Sequence, residues 1–470
     1  VGSTSIADAM KVGSDEATDE TTAQQEGAGQ NPARFAVDAL QGGRAKNALI
    51  KPRRSRTVEQ STLSSSLRIL AVADGDTPSG PLAGLRVLDL TRLLPGPMAT
   101  LHLADQGAEV IKIEDTGLGD YARTMGPGAA QASAEGKDSP FFRMLNRNKK
   151  SLRLDLKQPA GVQVFLRLAA EADVIFESFR PGVVDRLGIG YEAVRAINPR
   201  IVYCAITGYG QTGPWAHYAG HDINFIAMSG LLDQIGTPGS APAMPDFQIG
   251  DLLGGCLTSL VGVLTAVMGA KATGRGSHVD VAMADAILAH SVFPLLATQT
   301  PDGLAPRGEG EMTGASPGYA VYPTADDRYL AVGAIESKFW QTLCTALGLP
   351  ELATTDMTNA AEMKHAREAL AMVIKTQPLA YWKKTLVPLD CCVTPVLRLD
   401  EAVNHPQFIA RQIIVNETGL TQCAPPFKLS HWPQTERRPA ATAGADSAAV
   451  LQAVGYSADE IETLRRDGVI

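Results

Sequence analysis

From Leu85 onward, short runs of branched apolar residues alternate with helix-length segments, a rhythm that few folds accommodate. Leu85-Arg-Val-Leu-Asp-Leu predicts a strand, Met98 to Gln106 a helix closed by Gly107, and Glu109-Val-Ile-Lys-Ile the next strand. The pattern recurs with a helix over Ala160 to Ala172 and strands at Asp173-Val-Ile-Phe-Glu and Ile201 to Thr207. Strands joined through helices need crossover connections, which make them parallel. The expected fold class is therefore α/β, with a Rossmann-like parallel sheet in a large domain.

The rhythm does not run the whole length. Residues 1–80 carry a stretch, Gly13 to Pro32, with no large apolar side chain, then Lys51-Pro-Arg-Arg-Ser-Arg and a Ser-rich run, a composition too poor to build a core. They are expected to be a poorly ordered extension rather than a transit peptide, because the early residues are acidic. The large domain is assigned to 81–290 and a linker to 291–320. Tyr319 to Val332 reads as hairpin strands around Asp326-Asp327 and Ser337 to Leu347 as a short helix, so an inserted α+β domain is placed at 321–388. The segment 389–470 is expected to return to the large domain.

Composition excludes several function classes. Forty-two basic residues against fifty acidic ones give a net charge of −8, which disfavours general nucleic-acid binding. Six cysteines without a C-x-x-C pair argue against a disulfide framework, a metal site or a redox site, and point to a reducing compartment such as the cytoplasm. Leu252 to Ala270 contains no charge and is long enough to span a bilayer. It stands alone, holds four glycines, and is bounded by Asp251 and Lys271, so the expectation is a buried core helix and no membrane span.

Two motifs match on paper and fail in context. Gly208-Tyr-Gly-Gln-Thr-Gly213 fits a dinucleotide fingerprint, but Pro214-Trp215 and a polar loop follow where a helix should open on the pyrophosphate. Gly314-Ala-Ser-Pro-Gly318 fits a hydrolase elbow, yet it runs from a Gly-rich loop into a strand rather than from strand into helix.

What remains is a set of acidic and imidazole groups in apolar settings: His221 and Asp222 in Gly220-His-Asp-Ile-Asn224, Asp251 at the mouth of the uncharged helix, and Glu336 after a strand-like run. Each also has a plain structural reading. Asp251 and Glu336 could cap helices, and His221 could be a hydrogen-bonded core histidine.

The stretch from Pro81 to Ile470 resembles the family that unites family III CoA-transferases with α-methylacyl-CoA racemases. The matching segments come in order: Pro81-Leu-Ala-Gly-Leu-Arg-Val-Leu-Asp-Leu, Gly96-Pro97, Gly107-Ala-Glu-Val-Ile-Lys-Ile-Glu114, Asn146-Arg-Asn-Lys-Lys-Ser, Phe179-Arg-Pro-Gly182, Thr207 to Pro214, Gly274-Arg-Gly276 and Cys392-Val-Thr-Pro-Val396.

The resemblance implies roles. Asp251 would be the nucleophile of a transferase, or one of two acid/base groups of a racemase. His221 with Asp222 matches the racemases' Gly-His-Asp-Ile-Asn, and Glu336 their Ala-Ile-Glu. Having all of these together tilts the expectation toward α-epimerisation of 2-methylacyl-CoA thioesters, with CoA transfer to a free carboxylic acid through an acyl-Asp251 as the alternative. The first amides of the Leu252 helix, with Gly254 and Gly255, are expected to face an enolate oxygen and to keep Asp251 ionised. Coenzyme A enters as part of the substrate, with no permanently bound cofactor. Arg180, Lys157, Arg147, Lys149 and Asp155 are the expected nucleotide contacts. Asp115 stands where relatives carry a cation, and Met312-Thr-Gly-Ala-Ser-Pro-Gly318 lacks the racemases' loop aspartate. An interlocked homodimer is implied as well.

Overall fold

The computed structural model describes residues 80–470, apart from Thr418 and 433–436. The extension expected over 1–80 lies outside the described residues, save for Gly80. Six parallel strands form the main sheet: β1 (Arg86–Asp89), β2 (Glu109–Glu114), β3 (Lys150–Arg153), β4 (Val174–Glu177), β5 (Val202–Thr207) and β6 (Ser277–Ala282). Their spatial order is β3-β2-β1-β4-β5-β6. This is the doubly wound order of dinucleotide-binding sheets. The two outermost strands, β3 and β6, are absent from the sequence reading. Lys-Ser-Leu-Arg and Ser-His-Val-Asp-Val-Ala interleave polar residues, as edge strands do, and so lack the apolar run that marks a central strand.

Successive residues of the central strands feed two separate cores. Val87, Val174, Phe176, Cys204 and Ile206 pack against Ala99 and Leu103 of the helix Pro95–Ala104 and against Val263 and Val267 of the helix Thr258–Thr273. Leu88, Ile111, Ile175 and Tyr203 face the other way, onto Phe165 and Leu168 of the helix Pro159–Ala169. Val450, Leu451, Ile461 and Val469 complete that second core, so the C-terminal helices cover the large sheet. Hydrogen bonds from Asp155 N to Val469 O (2.9 Å) and from Ser151 N to Asp446 Oδ2 (2.8 Å) anchor them.

The smaller unit is a three-stranded antiparallel sheet, β7 (Tyr319–Pro323), β8 (Tyr329–Gly333) and β9 (Val393–Pro395), backed by helices Ser337–Ala346 and Ala360–Ile374. β9 lies beyond the boundary at 388 that the sequence suggested. A three-residue strand carries too little pattern to be read without its partner.

The uncharged helix differs from expectation. Residues Gly250–Leu257 are π-helical and lead directly into Thr258–Thr273. Ser259, Val263, Val267 and Ala270 are buried, but Leu257, Val261, Leu264 and Met268 are exposed at 49%, 68%, 39% and 69%. The helix thus has two apolar faces at helical spacing, and only one lies in the core. Sequence periodicity cannot say which apolar face a fold will cover. Among the described residues, Gly250–Thr273 is the one helix long and apolar enough to cross a bilayer.

Candidate active site

Chain order changes direction between β1 and β4. The connection leaving β1 runs on one face of the sheet, through the helix Pro95–Ala104, and that leaving β4 on the other, through Val184 and Val194. Diverging connections open a crevice at the carboxyl ends of those strands. A cavity of about 450 Å³ occupies this place, lined by Arg92 after β1, Phe179 and Arg180 after β4, and by His221, Asn224 and Asp251.

His221 precedes the helix Asp222–Met228, and its backbone N–H donates to Asn224 Oδ1 (3.0 Å), which fixes the entry turn. Asp222 spans the two catalytic candidates. It follows His221 in the chain, and its Oδ1 accepts the backbone N–H of Asp251 (3.0 Å). A Cβ on Gly250 would lie 3.0 Å from that same oxygen, so glycine there lets the two segments meet.

Asp251 is not a helix cap. Ile249 before it already has helical angles, and the N–H of Leu252 donates to Gln248 O (2.9 Å). The amides of Asp251 and Leu252 are therefore engaged, and the enolate-stabilising role expected for these first amides is not supported by the geometry. Gly254 and Gly255 serve packing instead. Added Cβ atoms would lie 2.8 Å from Met283 O and 2.6 Å from Pro95 Cβ, respectively. The expectation that the helix end keeps Asp251 ionised is also reversed. Withdrawal from water, reinforced by the neighbouring Asp222 charge, pushes its carboxyl up to about 7.

A second perturbed carboxyl lies beneath the cavity wall. Glu177 at the end of β4 is buried, and its Oε2 accepts Phe179 N (2.7 Å), holding the turn that presents Arg180. Burial pushes it up to about 8.

Arg92 has the most elaborate support. Leu93 beside it holds a left-handed φ of 64°, which Asp120 stabilises by accepting its N–H (3.1 Å). Thr91 is held by the buried Asp89, which accepts its N–H (2.9 Å), and by Lys112 Nζ, which donates to its carbonyl (2.9 Å). The guanidinium reaches Asp115 Oδ2 (2.7 Å) and lies 5.3 Å from the Tyr121 ring and 5.9 Å from that of Phe179. Sequence reasoning passed over Arg92. A cation directly after the first strand of a parallel sheet was the available signal.

The profile of "CoA-transferase family III" matches residues 82–447. The chain belongs to this family. Among relatives, "Acetyl-CoA:oxalate CoA-transferase" of Acetobacter aceti is 36% identical over 77% of this chain and 93% of its own length. "Alpha-methylacyl-CoA racemase" of Mus musculus is 35% identical over 83% and 97%. A solved CAIB/BAIF family protein from Brucella suis superposes with a TM-score of 0.70 at 29% identity, covering 80% of this chain and 99% of that one. Both branches of the family thus lie at similar distance.

Within this family member the site residues foreseen from sequence separate into two groups. His221, Asp251 and Arg180 line the cavity, and Asp222 stands directly behind. Arg147 and Lys149 do not face it. Arg147 is buried against Asp105 (2.6 Å) and Gln422 (2.9 Å), and Lys149 is buried on Asp89 (3.1 Å), Thr100 and Asn146. Both are framework cations, so their reading as nucleotide contacts is corrected. Lys157 is exposed away from the cavity lining, and Asp155 accepts the N–H of Lys157 (3.0 Å) and a bond from Gln158 (3.1 Å), closing a turn. Glu336 is exposed ahead of the helix Ser337–Ala346 and does not line the cavity either. A run of basic letters carries no information on which members find internal carboxylates.

Proposed function

We propose that this family member epimerises the α-carbon of 2-methylacyl-CoA thioesters, with His221 and Asp251 as the two proton-transfer groups. The carrying observation is that an imidazole and a carboxyl poised at about 7 line one cavity. A general acid or base works best with a pKa near the working pH, and the Asp251 carboxyl meets that condition. In one direction neutral His221 takes the α-proton and becomes imidazolium, while protonated Asp251 delivers its proton to the opposite face of the enolate and becomes carboxylate. The reverse direction exchanges the roles. Arg92 and Arg180 supply the cations at the cavity for the phosphates of the CoA portion.

The reading includes a homodimer. The exposed stripe Leu257, Val261, Leu264 and Met268 needs a covering surface, and because Glu336 does not line the cavity of its own chain, its support of His221 is assigned to a second copy. Deuterium wash-in at the α-carbon of an acyl-CoA in D₂O, without any acceptor acid, tests the reaction. No exchange above the uncatalysed rate overturns it.

A second reading, CoA transfer through an acyl-Asp251, is favoured by the 36% identical oxalate transferase and by the loop Met312–Gly318, which lacks the racemases' aspartate. Hydroxylamine-sensitive labelling of Asp251 that depends on a free acid supports it.

A further inference from the structure

Two arginines line the cavity at the switch point, and they stand in different electrostatic states. Arg180 is exposed and, among the described residues, makes no ion pair. Arg92 is paired. Its Nη2 lies 2.7 Å from Asp115 Oδ2, with the two side chains 28% and 40% exposed. Asp115 does not itself line the cavity.

Asp115 is held for this contact by groups other than Arg92. Its Oδ1 accepts the backbone N–H of Gly117 (2.9 Å) and that of Gly119 (3.1 Å), a side-chain turn that leaves Oδ2 to the guanidinium. Gly119 reaches that oxygen through a left-handed φ of 68°. The turn is clipped from β3, where Arg153 Nη2 donates to Thr116 O and to Gly117 O (3.0 Å). Besides Asp115, Arg92 makes only a long contact from Nη1 to Tyr121 Oη (3.4 Å), so N–H donors remain for a ligand. What the pairing removes is net charge, because an anion arriving at Arg92 meets a guanidinium already beside a carboxylate.

We infer that Asp115 is a specificity-determining counter-ion, which neutralises Arg92 and so makes the cavity hold the polyanionic portion of its ligand loosely enough to release it. The inference rests on the reading of Arg92 as a cation for the CoA phosphates, and adds to it a residue that limits affinity at the same site. Ion pairs this open to solvent shift an equilibrium by about fivefold at most, which sets the size of the effect.

Asp115→Asn tests this, because asparagine keeps an oxygen for the Gly117 and Gly119 amides and turns an NH₂ group, not an anion, toward Arg92. The probe is CoA itself, titrated calorimetrically against the full chain, so neither epimerisation nor transfer enters the readout. Asp115→Asn is expected to bind CoA about fivefold more tightly than wild type, a gain that shrinks as salt rises from about 0.05 M to about 0.5 M. With Arg92→Gln already in place, the same change is expected to gain less than about twofold, since the counter-ion acts through Arg92. Circular dichroism checks folding. Should Asp115→Asn not fold, Asp115→Ser, whose hydroxyl also accepts a backbone N–H, carries the same expectation. An affinity equal to or below wild type, or an equal gain without Arg92, overturns the inference and leaves the acyl-CoA reading standing. CoA that binds none of these chains overturns that reading, and the inference with it.

Discussion

Asp222 Oδ1 accepts the backbone N–H of Asp251 at 3.0 Å, while the peptide bond preceding Asp222 joins it to His221. One carboxylate thereby couples the positions of the two proposed proton-transfer groups and also adds its charge to the environment of Asp251. That charge and the withdrawal from water act in the same direction, toward the protonated acid.

Replacing Asp222 by Asn removes the charge while leaving an oxygen able to accept the Asp251 amide. The limb of the pH–rate profile governed by Asp251 is expected to move to lower pH, away from about 7. Initial rates of α-proton exchange measured from each epimer across pH 5 to 9 check this. An unmoved limb with intact exchange removes Asp222 from the electrostatics.

Asp251 should leave a mark on stability. Its folded-state pKa lies above its ordinary value of 3.8, so the unfolded chain releases this proton first as pH rises. The destabilising effect is absent at low pH, grows between about 4 and 7, and is complete above 7. Asp251→Asn should therefore melt progressively higher relative to wild type from pH 4 to pH 8, while losing α-proton exchange by a thousandfold or more, a loss on the scale of a removed general acid–base group. Paired melting curves at several pH values test the sign.

Two arginines of the large domain should behave differently. Arg92→Ala removes a cavity cation and is expected to lower kcat/KM by roughly 10- to 100-fold, mainly through KM, as lost charge-assisted hydrogen bonds do. Arg147→Ala leaves Asp105 buried without its guanidinium and is expected to cost about 3–5 kcal/mol of stability, with KM unchanged in the folded fraction. Chemical denaturation and steady-state kinetics of both variants separate the roles.

The exposed stripe on the uncharged helix makes its own demand. Val261→Glu combined with Met268→Glu puts two charges on a face already open in the single chain, so the monomer fold should survive. Sedimentation is expected to shift from a dimer to a species of about 50 kDa. A wild-type chain that already sediments as a monomer removes the proposed interlocked pair.

The central strands were legible because they are buried on both faces: Val-Ile-Phe-Glu and Val-Tyr-Cys-Ala-Ile-Thr leave no alternative to a covered parallel sheet. The edge strands β3 and β6 and the three-residue β9 were not, since their pairing depends on neighbours distant in sequence. His221 and Asp251 were legible as polar residues placed against the local pattern, and the resemblance joined them.

The sequence by itself determined the class of fold, the order of its central strands along the chain and the candidate proton-transfer pair, because hydrophobic periodicity and local motifs are properties of adjacent residues. Only the tertiary structure decided which cations reach the cavity. Arg147 and Lys149 found Asp105 and Asp89 across more than forty residues and became framework, while Arg92 was brought to the cavity by a turn braced from Asp89, Lys112 and Asp120. It also decided the upward shift of the Asp251 carboxyl. A carboxyl's pKa is set by the water it loses and the charges it meets, and both are fixed only when distant segments pack together.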